Sequence, residues 1–303
     1  GQAVAEARRA RSARMTILVL GSSGQLARHL RDVLPDATYC GRDSLDLAEP
    51  AAVAAKIEAL KPSAIVNAAG YTAVDKAESE AAVAWRVNAE SVAAAALAAT
   101  ALDVPFLHVS TDYVFDGRKQ TDYVPQDATN PLNVYGATKL AGELAARALC
   151  NKCWILRASW VFSEHGANFV KTMLRLAATR DELRVVADQR GRPTYAGDLA
   201  AVIAAIVRRS AERNALPFGT YHAVGGPVVS WCEFAELIVE QAFQRGMLAK
   251  RVPVRQITTA EYPTAARRPA SSALEPSPEL ERDLEIAMDW KKGLTAALTA
   301  LRG

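Results

Sequence analysis

Of the eight tyrosines in the chain, only Tyr135 has a lysine four residues on, Lys139. On a helix the i and i+4 side chains share one face, so the Lys139 ammonium can sit beside the Tyr135 phenol. A free phenol has a pKa of about 10 and is a poor acid–base group at neutral pH. A neighbouring ammonium favours phenolate, so the pairing is expected to lower that value. The dipeptide Ser110-Thr111 ends an apolar run that begins at Phe106. A hydroxyl there can donate to a carbonyl oxygen and hold it for hydride attack while Tyr135 supplies the proton. Spacing alone does not choose between Ser110 and Thr111.

A hydride needs a carrier, and a second motif supplies a place for one. Gly21-Ser22-Ser23-Gly24-Gln25-Leu26-Ala27 follows the strand-like run Thr16-Ile17-Leu18-Val19-Leu20 and opens a helix-like run. Glycines there permit a tight turn, and the free amides at a helix start attract a pyrophosphate. Cofactor contacts are therefore expected at Gly21, Ser23, Gly24, Gln25 and Leu26. The spacing is G-x-x-G-x-x-A, a variant of the dinucleotide fingerprint in which a small third residue still lets helix and strand pack. At the end of the second strand, Cys40-Gly41-Arg42 offers a guanidinium suited to the 2′-phosphate of NADPH. Asp43 beside it keeps NADH open. Asp46 and Leu47 are expected against the adenine, Ala68 and Ala69 beside the dinucleotide backbone, and Tyr71 near them.

Short apolar runs alternate with longer Ala-rich amphipathic ones from Met15 to Arg157. Strands are expected at 16–20, 37–40, 64–67, 106–110 and 154–157. Helices are expected at 25–34, 50–60, 135–149 and across 76–100, the last broken once. Strands apolar on both faces mark a parallel sheet covered on both sides, a doubly wound Rossmann-type α/β fold. After Arg157 the alternation becomes irregular, with helices at 168–179, 197–208 and 232–244 and a strand at 183–186. Ser230-Trp231-Cys232-Glu233 reads as a capping box. The Pro/Ser/Ala/Arg-rich stretch 258–278 is expected to be a functional loop over the substrate. The division that follows is a leader at 1–14, a dinucleotide-binding domain from 15–165 with 196–223, and a smaller C-terminal α/β substrate-binding domain from 166–195 with 224–303.

Composition excludes several classes. Half of the 303 residues are hydrophobic, 23% are charged and the net charge is +3, which suits a folded core and makes nucleic acid a poor partner. The leader 1–14 is Ala- and Arg-rich and leads into Met15, as a mistaken start, an expression remnant or a weak targeting peptide would. The run after it is too short for a secretory signal and nothing approaches the roughly 20 apolar residues of a membrane helix, so the expected location is cytoplasmic. Four cysteines without a secretory signal argue for reduced thiols. Cys150-Asn151-Lys152-Cys153 joins a helix to a strand and reads as structural.

With these blocks in place the chain resembles the dTDP-4-dehydrorhamnose reductase family of extended short-chain dehydrogenases. The matching segments are 21–26, 65–80, 110–115, 131–143, 157–161, 168–176 and 268–274. Most specific are Thr72-Ala73-Val74-Asp75-Lys76-Ala77-Glu78, Ser110-Thr111-Asp112-Tyr113-Val114-Phe115 and Pro131-Leu132-Asn133-Val134-Tyr135-Gly136. The resemblance implies that Thr111 joins Tyr135 and Lys139 as the catalytic trio, and that NADPH reduces the C4 ketone of a dTDP-sugar. It implies that Val74, Asp112 and Trp160, with Thr72 and Tyr113, line the sugar pocket. Asn168 and Arg268 would help hold the nucleotide end. Some members bind Mg²⁺ at a dimer interface through glutamates, and the corresponding positions here are His29, Gly197 and Lys291. None is a hard carboxylate, so no metal is expected and any homodimer would use another surface. Two alternatives stand beside this reading: a non-catalytic binding subunit of the same fold, and a sugar-nucleotide epimerase or dehydratase.

Overall fold

The computed structural model describes residues 15–210, 212 and 215–302; the leader lies outside them. Five parallel strands, β1 (Ile17–Leu20), β2 (Thr38–Cys40), β3 (Ala64–Asn67), β4 (Phe106–Thr111) and β5 (Cys153–Ala158), form a sheet completed by the strand Gly219–His222. Their order, starting from that last strand, is β5, β4, β3, β1, β2, every pair parallel. The order reverses between β1 and β3. In open α/β sheets a ligand sits at such a switch point, beyond the carboxyl ends of the strands. The turn at Gly21 and the block after Asn67 flank it.

The strands are apolar throughout because both faces are covered. Ile17, Val19, Val66 and Leu107 face the helices Gln25–Val33 and Ala196–Arg208, meeting Leu26, Leu30, Leu199 and Ile203. Leu18, Leu20, Ile65 and Phe106 point the other way, onto Val53, Ile57, Val92, Ala95 and Ala146. On that side the helices Ser91–Ala101 and Val134–Leu149 run close together, and a Cβ at Gly142 would lie 2.1 Å from the Asn88 carbonyl oxygen. Small residues at that crossing are a packing requirement.

Three regions show how the expectations were realised. The helical region expected across 76–100 with one break is Val74–Ala77, a break at 78–80, and then Ala81–Trp85, a π-turn at Arg86–Glu90 and Ser91–Ala101 in one uninterrupted run. The break at Ser79 frees two carboxylates for distant groups: Glu78 accepts from Val134 N and Glu80 from the Tyr71 hydroxyl. The stretch 258–278 is nearly without regular structure, as expected, but it is pinned. Ser272 N donates to Arg190 O, and Tyr123 exchanges backbone bonds with Ala273 and Glu275. The C-terminal helices Pro278–Leu284 and Trp290–Arg302 were not foreseen. The first of them, inside the segment assigned to the second domain, buries Leu280 and Leu284 in the core of the parallel sheet.

A separate buried cluster gathers Phe162, Val170, Met173, Phe234, Ile238, Trp290, Leu294 and Leu298. The helix Trp231–Gln244 within it starts with the capping box of Ser230 and Glu233. All four cysteines are buried and unpaired, and burial pushes the Cys153 thiol up to about 12, which leaves it inert. No helix among the described residues is long and apolar enough to cross a membrane.

Beneath the carboxyl end of the sheet, Arg157 and Glu143 form a buried bidentate pair, with Arg157 Nη2 2.7 Å and Nε 2.9 Å from the carboxylate and side chains 2% and 1% exposed. Removing one partner strands the other charge away from water. Arg157→Met is expected to lower unfolding stability by about 3–5 kcal/mol, and the double change to Met and Leu by less, measured by urea denaturation. Equal losses in the two variants would mean the ion pair is not what the arginine contributes.

Candidate active site

The dinucleotide turn depends on two glycine positions. Gly21 has φ +112°, donates to Cys40 O at 2.7 Å, and passes so close to β3 that a Cβ would sit 3.2 Å from that of Ala69. Gly24 caps the helix Gln25–Val33 without any side-chain hydrogen bond to its first amides, and a Cβ there would meet nothing within 4 Å. The first turn thus has no side-chain cap and no acidic side chain. Such an end suits a pyrophosphate, so the residues present fit a dinucleotide. Arg42 is exposed beyond β2. Asp46 is used locally, its carboxylate accepting from Ala48 N, and Leu47 O accepts from the Ser91 hydroxyl. Ala68 N donates to Leu20 O, fastening β3 to β1, while Asn67 holds Ala69 N through its side-chain oxygen.

Tyr135 sits in the first turn of the helix Val134–Leu149. Asn133 caps that helix by accepting from Gly136 N at 2.8 Å, and its amide donates to Arg267 O, tying the helix start to the 258–278 stretch. Gly136 is needed because a Cβ would lie 2.2 Å from Tyr113 O. Four residues on, Lys139 is buried, donating from Nζ to Val109 O at 2.7 Å with His108 Nε2 at 3.4 Å. Burial pulls its pKa down to about 8, against the opposing charge of Glu143. His108 is held neutral by burial and by the Lys139 charge, and its other nitrogen lies 3.2 Å from the Asn67 amide.

The expectation that Lys139 depresses the Tyr135 pKa is not met. Burial pushes the phenol up to about 12, the nearby Thr111 hydroxyl opposing and the Asp112 charge reinforcing the rise. Between the two hydroxyls left open by spacing, Thr111 is the one beside the phenol; Ser110 Oγ is buried without a hydrogen bond. Thr111 donates to Asp112 Oδ1 at 3.0 Å and accepts from Tyr113 N. Burial raises Asp112 to about 6, outweighing the hydroxyls of Ser272 and Thr111.

Tyr71, Val74, Tyr113 and Val134 pack around Tyr135, and the Tyr113 ring meets it edge-on at 5.6 Å. Thr72 is exposed beside them. Tyr71 is set by two contacts, its N–H donating to Asn88 Oδ1 and its hydroxyl to Glu80. Asn88 also donates to Thr138, so the π-turn aims one side chain at both walls of the site. Arg268 does not stand free for a nucleotide: it pairs with Asp75 at 2.8 Å, with Ala266 N on the other carboxylate oxygen. Asp75 lay inside the recognised block but was not singled out.

Trp160 and Asn168 belong to a neighbouring group. Trp160 has φ +49° and stacks on Trp231 at 3.5 Å with an 8° interplanar angle, Phe169 lying 4.5 Å from Trp231. The partner Trp231 was read only as part of a capping box. Asn168 caps the helix Phe169–Ala177, and its amide donates to Gln25, Ser163 and His165 oxygens. It acts here as the clamp between that loop and the dinucleotide turn.

The three positions that the resemblance would assign to Mg²⁺ ligands do not fit a hard cation. His29 is an imidazole. Gly197 has no side chain, and a Cβ there would lie 2.4 Å from the Tyr195 ring. Lys291 carries a cation, 5.8 Å from the Trp290 ring centroid. No step of chemistry is assigned to that metal.

The family model for the RmlD substrate binding domain matches residues 15–302. A dTDP-4-dehydrorhamnose reductase from Aggregatibacter actinomycetemcomitans is 44% identical over 284 residues, 92% of this chain and 96% of the relative. The crystal structure of a dTDP-4-dehydrorhamnose reductase from Clostridium acetobutylicum superposes with a TM-score of 0.87 at 35% identity, covering 95% of this chain and all of that one. The corresponding enzyme from Bacillus anthracis, solved in complex with NADP, gives 0.86 at 34% identity over 94% and 99% of the two chains. With its fingerprint turn, its Tyr135–Lys139 helix and likeness of this extent, the chain belongs to the dTDP-4-dehydrorhamnose reductase family.

Proposed function

We propose that the chain reduces the C4 ketone of dTDP-4-dehydro-L-rhamnose to give dTDP-L-rhamnose, using NADPH. The observation that carries this reading is the Thr111 hydroxyl against the Tyr135 phenol with Lys139 one turn further along the same buried helix face, in a chain 44% identical along its length to a reductase of that name. Residues 15–165 with 196–223 hold the dinucleotide in this proposal, and 166–195 with 224–303 receive the sugar nucleotide.

Bound NADPH supplies the hydride to C4. Reduction then asks the protein for a proton, and a phenol at about 12 arrives protonated at neutral pH. Tyr135 gives that proton to the oxygen as it gains charge. Thr111 donates to the same oxygen, exchanging its bond to Asp112 for one to substrate. Lys139, whose ammonium is turned toward Val109 O and not toward the phenol, would hold the cofactor's ribose hydroxyls by charged hydrogen bonds. Val74, Tyr113 and Thr72 border the phenol on the side open to a sugar, and Arg42 meets the 2′-phosphate.

Three outcomes test the proposal. Purified protein supplied with dTDP-4-dehydro-L-rhamnose generated in situ is expected to oxidise NADPH and yield dTDP-L-rhamnose, identified by mass and NMR. Tyr135→Phe is expected to lose about 10²- to 10⁴-fold in kcat with unchanged circular dichroism and NADPH binding. Folded, cofactor-binding wild-type protein without turnover would favour the binding-subunit reading.

The pH profile has a defined sign. Lys139 carries its charge below about 8, so kcat/KM should be level near pH 7 and fall as pH rises through that value; a profile flat to pH 10 would remove Lys139 from the step. Arg42→Ala should raise the KM for NADPH about 10- to 100-fold, the worth of a charged hydrogen bond, and leave the KM for NADH nearly unchanged. Equal effects on the two cofactors would place Arg42 elsewhere.

A further inference from the structure

His29 lies on the buried face of the helix that begins at the dinucleotide turn, its side chain 9% exposed and its Nε2 without a hydrogen bond. Facing it is the loop between the strand Val161–Phe162 and the helix Phe169–Ala177. Glu164 Oε2 stands 3.5 Å from His29 Nε2, and Glu164 Oε1 stands 3.8 Å from His165 Nε2. One ligand atom from each of the three residues lies within 4.8 Å of the other two. Tyr195 donates its hydroxyl to the same carboxylate at 3.3 Å, and its ring meets His29 edge-on at 5.2 Å. Among the described residues no lysine or arginine comes within ion-pair distance of that carboxylate.

Two facts need a common explanation. A buried ring nitrogen whose nearest acceptor stands at 3.5 Å, too far for a good hydrogen bond, is rare in native structures. A carboxylate only 16% exposed has two imidazoles for neighbours in place of a basic side chain. An N₂O donor set of two imidazoles and one carboxylate suits Zn²⁺ and its borderline neighbours, whereas Mg²⁺ requires an octahedron of oxygens. Bonds of about 2.0–2.1 Å to a tetrahedral ion put ligand atoms about 3.4 Å apart, close to the 3.5 Å between His29 Nε2 and Glu164 Oε2. The remaining separations, within 4.8 Å, close by rotation of His165, whose side chain is 31% exposed. That exposure also leaves the fourth position to water.

We propose that His29, Glu164 and His165 form a binding site for one transition-metal dication of the Zn²⁺ class, with Tyr195 orienting the carboxylate. None of Thr111, Tyr135 and Lys139 contributes a ligand. The ion staples the helix Gln25–Val33 to the loop whose Asn168 already grips Gln25, so its effect is on stability and on the cofactor turn. The site is independent of the identity of the sugar substrate.

The test uses untagged, chelator-stripped full-length protein titrated with Co²⁺ alone. One equivalent should produce visible d–d bands of four- or five-coordinate intensity, Zn²⁺ should abolish them stoichiometrically, and Zn²⁺ should raise the melting temperature. His165→Ala, at a partly exposed position, and Glu164→Gln should each weaken Co²⁺ binding at least about tenfold with unchanged circular dichroism. Tyr195→Phe should weaken it about 10-fold while keeping the spectrum, as loss of an outer hydrogen bond does. No Co²⁺ spectrum in the parent protein overturns the proposal. So does metal binding of unchanged affinity in the His165→Ala and Glu164→Gln variants.

Discussion

The hydrogen bond from Lys139 Nζ to Val109 O, made inside the protein at 2.7 Å, is the constraint on which the site depends. It joins the helix Val134–Leu149 to β4, and so brings Tyr135 from one element to Thr111 at the end of the other. A buried ammonium is costly unless its donors are satisfied, and this lysine uses a strand carbonyl and a neutral imidazole for the purpose. His108 in turn lies against Asn67 at the end of β3. A chain of contacts thus runs from Ala69 beside the Gly21 turn, through Asn67 of β3 and His108 of β4, to the helix that carries Tyr135. Rotating the helix or shortening β4 would leave the ammonium unpartnered, and the arrangement is rigid for that reason.

A second restraint comes from above. Asp75 holds Arg268 and Ala266 N, while Asn133 holds Arg267 O, so the irregular stretch 258–278 is clamped from two sides over Tyr113 and Tyr135. This segment makes few regular backbone bonds of its own, and its position is set by side chains on the recognised Asn67–Glu78 block and on the Asn133 cap. The loop over the site and the helix carrying Tyr135 therefore share anchors. Binding that moves one must strain the other.

What could be read from the sequence follows from how local each signal is. The glycine turn, the Tyr135–Lys139 spacing and the parallel sheet are legible because each is written within a few residues, in strict apolar runs or in an i, i+4 pair. Asp75–Arg268, separated by 193 residues, and Trp160–Trp231 are pairings across elements, and no periodicity announces them. Trp231 was legible only as a residue inside a capping box. The Tyr135 ionisation failed for a different reason. Adjacency on a helix face was taken to set the charge environment, whereas desolvation is the larger effect and the ammonium is turned toward Val109. His29 was noticed for the ligand it is not, and Glu164 and His165 became visible only when the loop folded back onto its helix.

The raised Tyr135 pKa bears on direction. A dehydrogenase that oxidises an alcohol needs the phenolate as base and gains from a strong depression of the pKa, because only the ionised fraction works. A reductase needs the phenol, and a site that keeps it near 12 holds essentially all of it in the working form at neutral pH. Burial then costs nothing in occupancy, while a phenol that gives up its proton must take one back from solvent before it can act again. Lys139, lowered to about 8 by its own burial, still carries its charge at neutral pH. The same desolvation that raises the phenol lowers the ammonium, so two groups nearly equal in proton affinity in water are drawn apart by one physical cause. That separation, and not a direct salt link between them, is what the packing around the Tyr135 helix provides.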